Sequence, residues 1–297
     1  MRDVFLVARF EVLRAIRTWR ALALVVLFCV ASGGASYLFV RFVGLLENNV
    51  ADQLGVPRTE TPGAMLDQLV LSDTWREVVS DMIGAPEFVD FLLSVPPLAM
   101  FNLWFGFLLV PFFAASASAE CLAIDVQSRA IRYEALRTGR LEIVMGRLFG
   151  QLTLTAIALV VSTLVVWFVG VGFMVLEEPL ALGGWLFWFA LRSLGFAVPF
   201  VGLGVAASQL TASPAWARVM AIGATAGTWV LFGLAHYWID QRQVLWLADI
   251  LLQVLPQGWL RGMWSPGLAW AGSAAAVCGL GLVFAAFGYV RFARRDL

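Results

Sequence analysis

Six stretches of the chain are apolar for about twenty residues or more, and polar segments of very unequal length separate them. A helix rising about 1.5 Å per residue needs about 20 apolar residues to cross a bilayer core of about 30 Å. The pattern therefore predicts six transmembrane helices: roughly 21–43, one within 91–119, one within 148–176, about 185–208, Val219 to Ile239, and about 267–290. Pro96, Pro97 and Pro111 are expected to start or bend the second, and "EEP" (177–179) and "TASPAWAR" (211–218) to turn the chain between later spans. Residues 240–266, "DQRQVLWLADILLQVLPQGWLRGMWSP", are apolar but too interrupted by Asp, Arg, Pro and Gly for a clean span. They read as a re-entrant or interfacial segment. The fold class is an all-α polytopic membrane protein.

The polar segments differ in character. Residues 1–20, "MRDVFLVARFEVLRAIRTWR", place Phe5, Ala8, Val12, Ile16 and Trp19 on one helical face, with arginines including Arg9, Arg14 and Arg17 elsewhere. This suits an amphipathic helix lying in the membrane surface with its arginines on lipid phosphates. The run Ala21 to Val40 exceeds the core of a signal peptide, so it is expected to stay as the first span. Residues 44–90 hold nine acids (Glu47, Asp52, Glu60, Asp67, Asp73, Glu77, Asp81, Glu87, Asp90) against Arg58 and Arg76. Within them "PGAMLDQLVL" and "SDTWREVVSDMI" read as short capped helices. The chain thus divides into an N-terminal helix (1–20) and a six-span domain (21–297), with one long loop at 44–90 and a basic connector at 120–147.

Composition supports the membrane reading and removes several chemistries. The chain is 61% hydrophobic and 13% charged, against about 25% charged in soluble domains. All twenty basic residues are arginine. Without lysine the chain cannot build a Walker A phosphate loop or a Schiff base. His236 is the only histidine, and Cys29, Cys121 and Cys278 have no metal-ligand or disulfide spacing. No catalytic residue, metal site or nucleic-acid partner is expected.

Charge also sets an expected orientation. With both termini inside, the inner segments hold fourteen arginines and the outer ones five, as the positive-inside rule requires. The connector is then cytoplasmic and the acidic loop faces outward. Topology alone asks for basic residues without pattern, yet the connector interleaves Glu120, Asp125, Glu134 and Glu142 with Arg129, Arg132, Arg137, Arg140 and Arg147. With Ile131, Leu136, Leu141 and Ile143 this makes a mixed-charge amphipathic element able to dock on a soluble partner.

Residues 124–150, "IDVQSRAIRYEALRTGRLEIVMGRLFG", resemble the intracellular loop of ABC-2 type (type V-like) transporter permeases. Asp125 matches the acidic position, Ser128 the step before the usual glycine, Gly139-Arg140 the turn, and Gly146-Arg147 a Gly-Lys position. The N-terminal segment resembles that family's elbow helix, and "WSP" before span six and "FARRDL" at the end are also similar. Arg129 departs from the pattern by standing where the family often has glycine. The resemblance implies that the loop holds a cytoplasmic coupling helix seated on a separate ATP-binding cassette subunit, with Asp125, Arg129, Arg132, Glu134, Arg137 and Arg140 at that contact. It further implies two permease copies around a central path, spans one, two and five moving, and ATP and Mg bound by the partner rather than by this chain. The expected function is the membrane subunit of an exporter in a bacterial inner membrane, not an enzyme. The alternative is the same architecture passing force to a periplasmic partner, without transport, through 44–90.

Three further features bear on that reading. Arg192 lies inside span four, about 10 Å from its outer end, and is expected to snorkel to the interface or to pair within the bundle. Gly223 and Gly227 form a GxxxG on span five that suits close packing against a second copy. A secondary transporter usually has paired charges at the midplane, and an intramembrane enzyme needs acid–base groups there. Span interiors here offer neither.

Overall fold

In a computed structural model the described residues are 2–55, 57, 61–64, 70, 73–83, 88–176, 178–242 and 244–295. Arg58, Glu60, Asp67, Glu87, most of "PGAMLDQLVL", Glu177 and the last two residues of "FARRDL" lie outside them. The described residues form helices joined by turns, with no strand among them, and six helices are long and apolar enough to cross a membrane.

Helix α1 (Arg2–Arg17) ends at Thr18, a single extended residue with φ −95° and ψ 124°, and α2 (Trp19–Leu54) begins immediately after it. This first span runs eleven residues past the expected end at 43. The polar residues in that extension are accommodated rather than helix-breaking: Glu47 is buried and accepts a hydrogen bond from the Gly63 N–H at 2.8 Å. The acidic loop folds back over this end. In α3 (Asp73–Ile83) Trp75 is buried against Phe39 of α2, and Arg76 pairs with Asp90 of α4 (Val89–Leu93) at 2.8 Å.

The second span, α5 (Pro97–Ser118), starts with Pro97 in its first turn, where a missing N–H costs nothing, and continues through Pro111. The connector is two short helices, α6 (Ala123–Gln127) and α7 (Ile131–Ala135). Span three, α8 (Arg140–Phe173), begins inside the expected connector: extended Gly139 precedes it, and Glu142 in its first turn lies beside that glycine. Span four is α9 (Pro179–Leu210) and span five α10 (Pro214–Asp240). The interrupted segment is α11 (Leu245–Val254), a 3-10 turn (Pro256–Trp259) and α12 (Leu260–Met263), and span six is α13 (Trp270–Ala293).

Span four is the most enclosed helix and span five the least. α9 packs on α5, α8, α10 and α13. Its seam with α13 is built from small residues: a Cβ on Gly202 would run into the Gly281 carbonyl, and one on Gly288 would lie 2.7 Å from the Ala206 Cα. Lipid is as apolar as leucine, so helices in a bilayer gain mainly from such close backbone approach. α1 packs along the start of α8.

Candidate functional site

Local sequence forces the connector into two helices. Arg129 has φ 61°, the left-handed region that glycine favours and that costs other residues. It therefore adopts the conformation that the glycine expected at this place would supply, and the chain reverses there. The reversal brings Asp125 on α6 and Glu134 on α7 to the same point, the Arg147 guanidinium in the second turn of α8.

Arg147 is completely buried. Its Nη1 donates to Glu11 of α1, and its Nη2 donates to Asp125 Oδ2 at 2.7 Å and to Glu134 Oε1 at 2.8 Å. Arg14 reaches the same carboxylate from α1, with Nη1 2.8 and 2.7 Å from the Asp125 oxygens. Gln151, one turn beyond Arg147, donates to Glu11 Oε1 at 2.7 Å. Three carboxylates and two guanidiniums thus join four segments (α1, α6, α7 and α8) in one cluster of net charge −1. Guanidinium suits this place because its planar fork presents several donors at once, which a lysine ammonium cannot match.

Two glycines let α1 come close enough to form the cluster. A Cβ on Gly146 would lie 2.5 Å from the Val7 Cβ, and one on Gly150 would lie 2.8 Å from the Glu11 Cβ. The sequence "GRLFG" is therefore a small-residue seam flanking the buried arginine. Phe5 (71% exposed), Ile16 and Trp19 point outward, while Glu11 and Ala15 are buried against α8. Bulky apolar groups cannot enter a glycine seam, and these remain exposed. Arg9 and Arg17 are exposed and have no partner among the described residues.

The six connector residues separate into four groups. Asp125 and Glu134 are cluster members, and Arg129 is the turn. Arg132 and Arg137 are exposed beside Tyr133 (76%) and Leu136 (84%), forming an uncovered charged and apolar face. Arg140 points elsewhere: its Nη1 donates to the Ala293 carbonyl at 2.5 Å and to the Phe292 and Arg295 carbonyls, closing the end of span six. Glu120 pairs with Arg218 at 3.0 Å, tying span two to the start of span five. Sequence reasoning missed Glu11 and Arg147 as partners. The available signals were an acid on the Ala8/Ala15 side of an amphipathic helix and an arginine beside a GxxxG.

Arg192 does not snorkel. It is fully buried, its Nη1 donates to the Met263 carbonyl of α12 at 2.8 Å, and its guanidinium sits 5.2–5.8 Å from the Phe189, Trp270 and Trp188 rings. No acid pairs with it among the described residues. Three π-faces and one carbonyl hold the charge in place. Gln257 adds a second tie, donating to Thr228 of span five at 2.8 Å. Below this segment lies a cavity of about 570 Å³ between spans two and five, lined by Trp104, Phe107, Trp229, Phe232, Gln257 and Trp264. Gly223 and Gly227 meet nothing within 4 Å and lie on the open side of span five.

A family model described as ABC-2 family transporter protein matches residues 5–297, nearly the whole chain. No curated protein matches the chain.

Proposed function

The chain belongs to the ABC-2 family of transporter proteins, and on that premise we propose that it is the permease subunit of an ATP-binding cassette exporter, driven by a separate nucleotide-binding subunit. The observation that carries this reading is the division of the connector into an inner and an outer face. The inner face is locked to α1 and span three through buried Arg147. The outer face presents Arg132, Tyr133, Leu136 and Arg137 with nothing over them. An exposed face that combines aromatic and aliphatic side chains with arginines has the composition of a protein-binding surface. A cassette seated there pushes on α7, and the ion cluster passes the displacement to α1 and α8 together.

In this reading α1 is the elbow helix and α7 the coupling helix. Both termini are cytoplasmic in a bacterial inner membrane, and ATP and Mg stay with the partner. A second permease copy packs on the open side of span five at Gly223 and Gly227. The aromatic-lined cavity between spans two and five gives the cargo its path on the outer side. Its size falls in the range of about 300–1,000 Å³ typical of small-molecule sites.

The test is to express the chain alone and with the cassette subunit encoded beside its gene, then purify each and measure ATP hydrolysis. The chain alone should be inactive, and the pair should co-purify and hydrolyse ATP. The double charge reversal R132E/R137E should leave the permease in the membrane and detach the cassette or uncouple hydrolysis from transport. Unchanged coupling in that variant removes the assignment of this face.

A further inference from the structure

A second cleft, part basic and part apolar, lies on the connector side of the molecule, between the ends of spans four and six. It measures about 520 Å³ and is lined by Gln209, Leu210, Phe287, Val290, Arg291, Arg294 and Arg295. Two observations set it apart from an ordinary basic flank. First, Arg291, Arg294 and Arg295 have no side-chain partner among the described residues. Arginines in a last helical turn usually serve the helix's own carbonyls and dipole, but here Arg140 already occupies the Phe292, Ala293 and Arg295 carbonyls from across the connector. The three guanidiniums are left over. Second, Gln209 is fully buried, and neither its amide nitrogen nor its oxygen has a hydrogen-bond partner. Buried amides are almost always satisfied, so an orphan lining a cleft points to a missing polar ligand.

The apolar part of the cleft restricts what that ligand is. Phe287 (71% exposed) and Val290 (53%) continue along the outer surface of span six, directly below the arginines. A ligand that fits has an anionic group for the guanidiniums, neutral oxygens and hydroxyls for the Gln209 amide, and a hydrocarbon portion for Phe287 and Val290. We propose that this cleft binds an anionic membrane phospholipid, with its phosphate on Arg291, Arg294 and Arg295 and its glycerol or headgroup oxygens on Gln209. Guanidinium recognises phosphate by paired donors, and basic pockets between transmembrane helices suit such headgroups. The inference rests on the chain crossing a bilayer and not on the cassette reading, and its test contains no cassette. Because Arg140 holds the same helix end, a lipid seated here braces the anchor of the connector.

The test uses the purified full chain in neutral detergent, titrated with phosphatidylglycerol and separately with phosphatidylcholine, with bound lipid counted by native mass spectrometry. Phosphatidylglycerol should be retained at least about tenfold better, which corresponds to about 1.4 kcal/mol. R291Q/R294Q should abolish that preference, Q209L should weaken it several-fold, and R242Q, on an exposed turn at the other end of span five, should leave it intact. Equal retention of the two lipids, or wild-type retention by R291Q/R294Q, overturns the proposal. Displacement of the lipid by inorganic phosphate at equal concentration also overturns it, since the site then reads a soluble anion. If a variant elutes as misfolded, photoactivatable phosphatidylglycerol on the unsubstituted protein decides: label on the 205–212 or 285–295 segments supports the site, and label elsewhere removes it.

Discussion

Replacing Arg147 by methionine keeps most of the side chain's volume and removes its charge. The Glu11 and Asp125 side chains are each 7% exposed, and Glu134 is 29% exposed. Asp125 keeps Arg14 after the change and Glu134 can turn to solvent, so Glu11 bears most of the loss, with only the neutral Gln151 left to it. Removing one partner of a buried pair costs about 3–5 kcal/mol. The cost falls on the docked state of α1, because lifting α1 off α8 is the cheapest way to rehydrate Glu11. At 1.4 kcal/mol per tenfold, the undocked population rises by about 10² to 10³·⁵. A cysteine at buried Ala15 reads this directly, in a background with Cys29, Cys121 and Cys278 replaced. Maleimide labelling of that cysteine in open membranes should be slow in the reference protein and at least about a hundredfold faster with R147M. Adding E11Q should recover most of the difference, since no uncompensated charge then remains under the helix. R147K should fall between, because one ammonium cannot serve three carboxylates. Labelling within twofold of the reference in R147M refutes the claim that this arginine holds α1 in place.

Other substitutions test neighbouring parts of the argument. Gly146→Ala places a methyl 2.5 Å from Val7 and should cost about 1–3 kcal/mol by overpacking, speeding Ala15→Cys labelling with every charge intact. Arg129→Gly should stabilise the protein by about 1 kcal/mol by relieving the left-handed backbone, and Arg129→Val should destabilise it; thermal unfolding in detergent checks both. Gly223→Leu with Gly227→Leu should leave the unfolding temperature of the single chain within about a degree and abolish a dimer band in chemical cross-linking, since both positions face open space. Arg192→Met removes the donor to Met263 and should raise protease cleavage within 256–264 without loss of membrane insertion.

The six spans were legible because a bilayer imposes a length requirement that short-range composition satisfies or fails. The ends of the spans were harder to read. Span one continues past 43 because Glu47 finds the Gly63 N–H, a partner that periodicity does not reveal. Span three starts at Arg140, straight after extended Gly139 and with an acid, Glu142, in its first turn, a signal present in the sequence but outweighed by the charge of the connector. Asp125 was recognisable from its motif and Glu134 from its place among the interleaved charges of the connector. The third acid on Arg147 was not, since Glu11 and Arg147 are 136 residues apart in sequence. The side of α1 that packs on span three was not legible for a related reason: its outline is set by glycines on another helix, which the sequence of α1 alone does not show. Arg192 has the same lesson. Its distance from the span end suggested an escape to the interface, but three aromatic rings and one carbonyl on separate segments enclose it.

Thr18 is the only residue between two long helices that answer to different neighbours. On one side of it the chain is fastened to the third span; on the other it is the first span. Consecutive Cα atoms are about 3.8 Å apart, so a one-residue joint stores almost no slack. The first and third spans can swivel about that point, but they cannot slide apart by more than a few ångströms without unwinding a helical turn. In the proposed exporter, a stroke arriving through the connector would thereby be turned into rotation, and the length of this tether would set how far the first helix travels in each cycle.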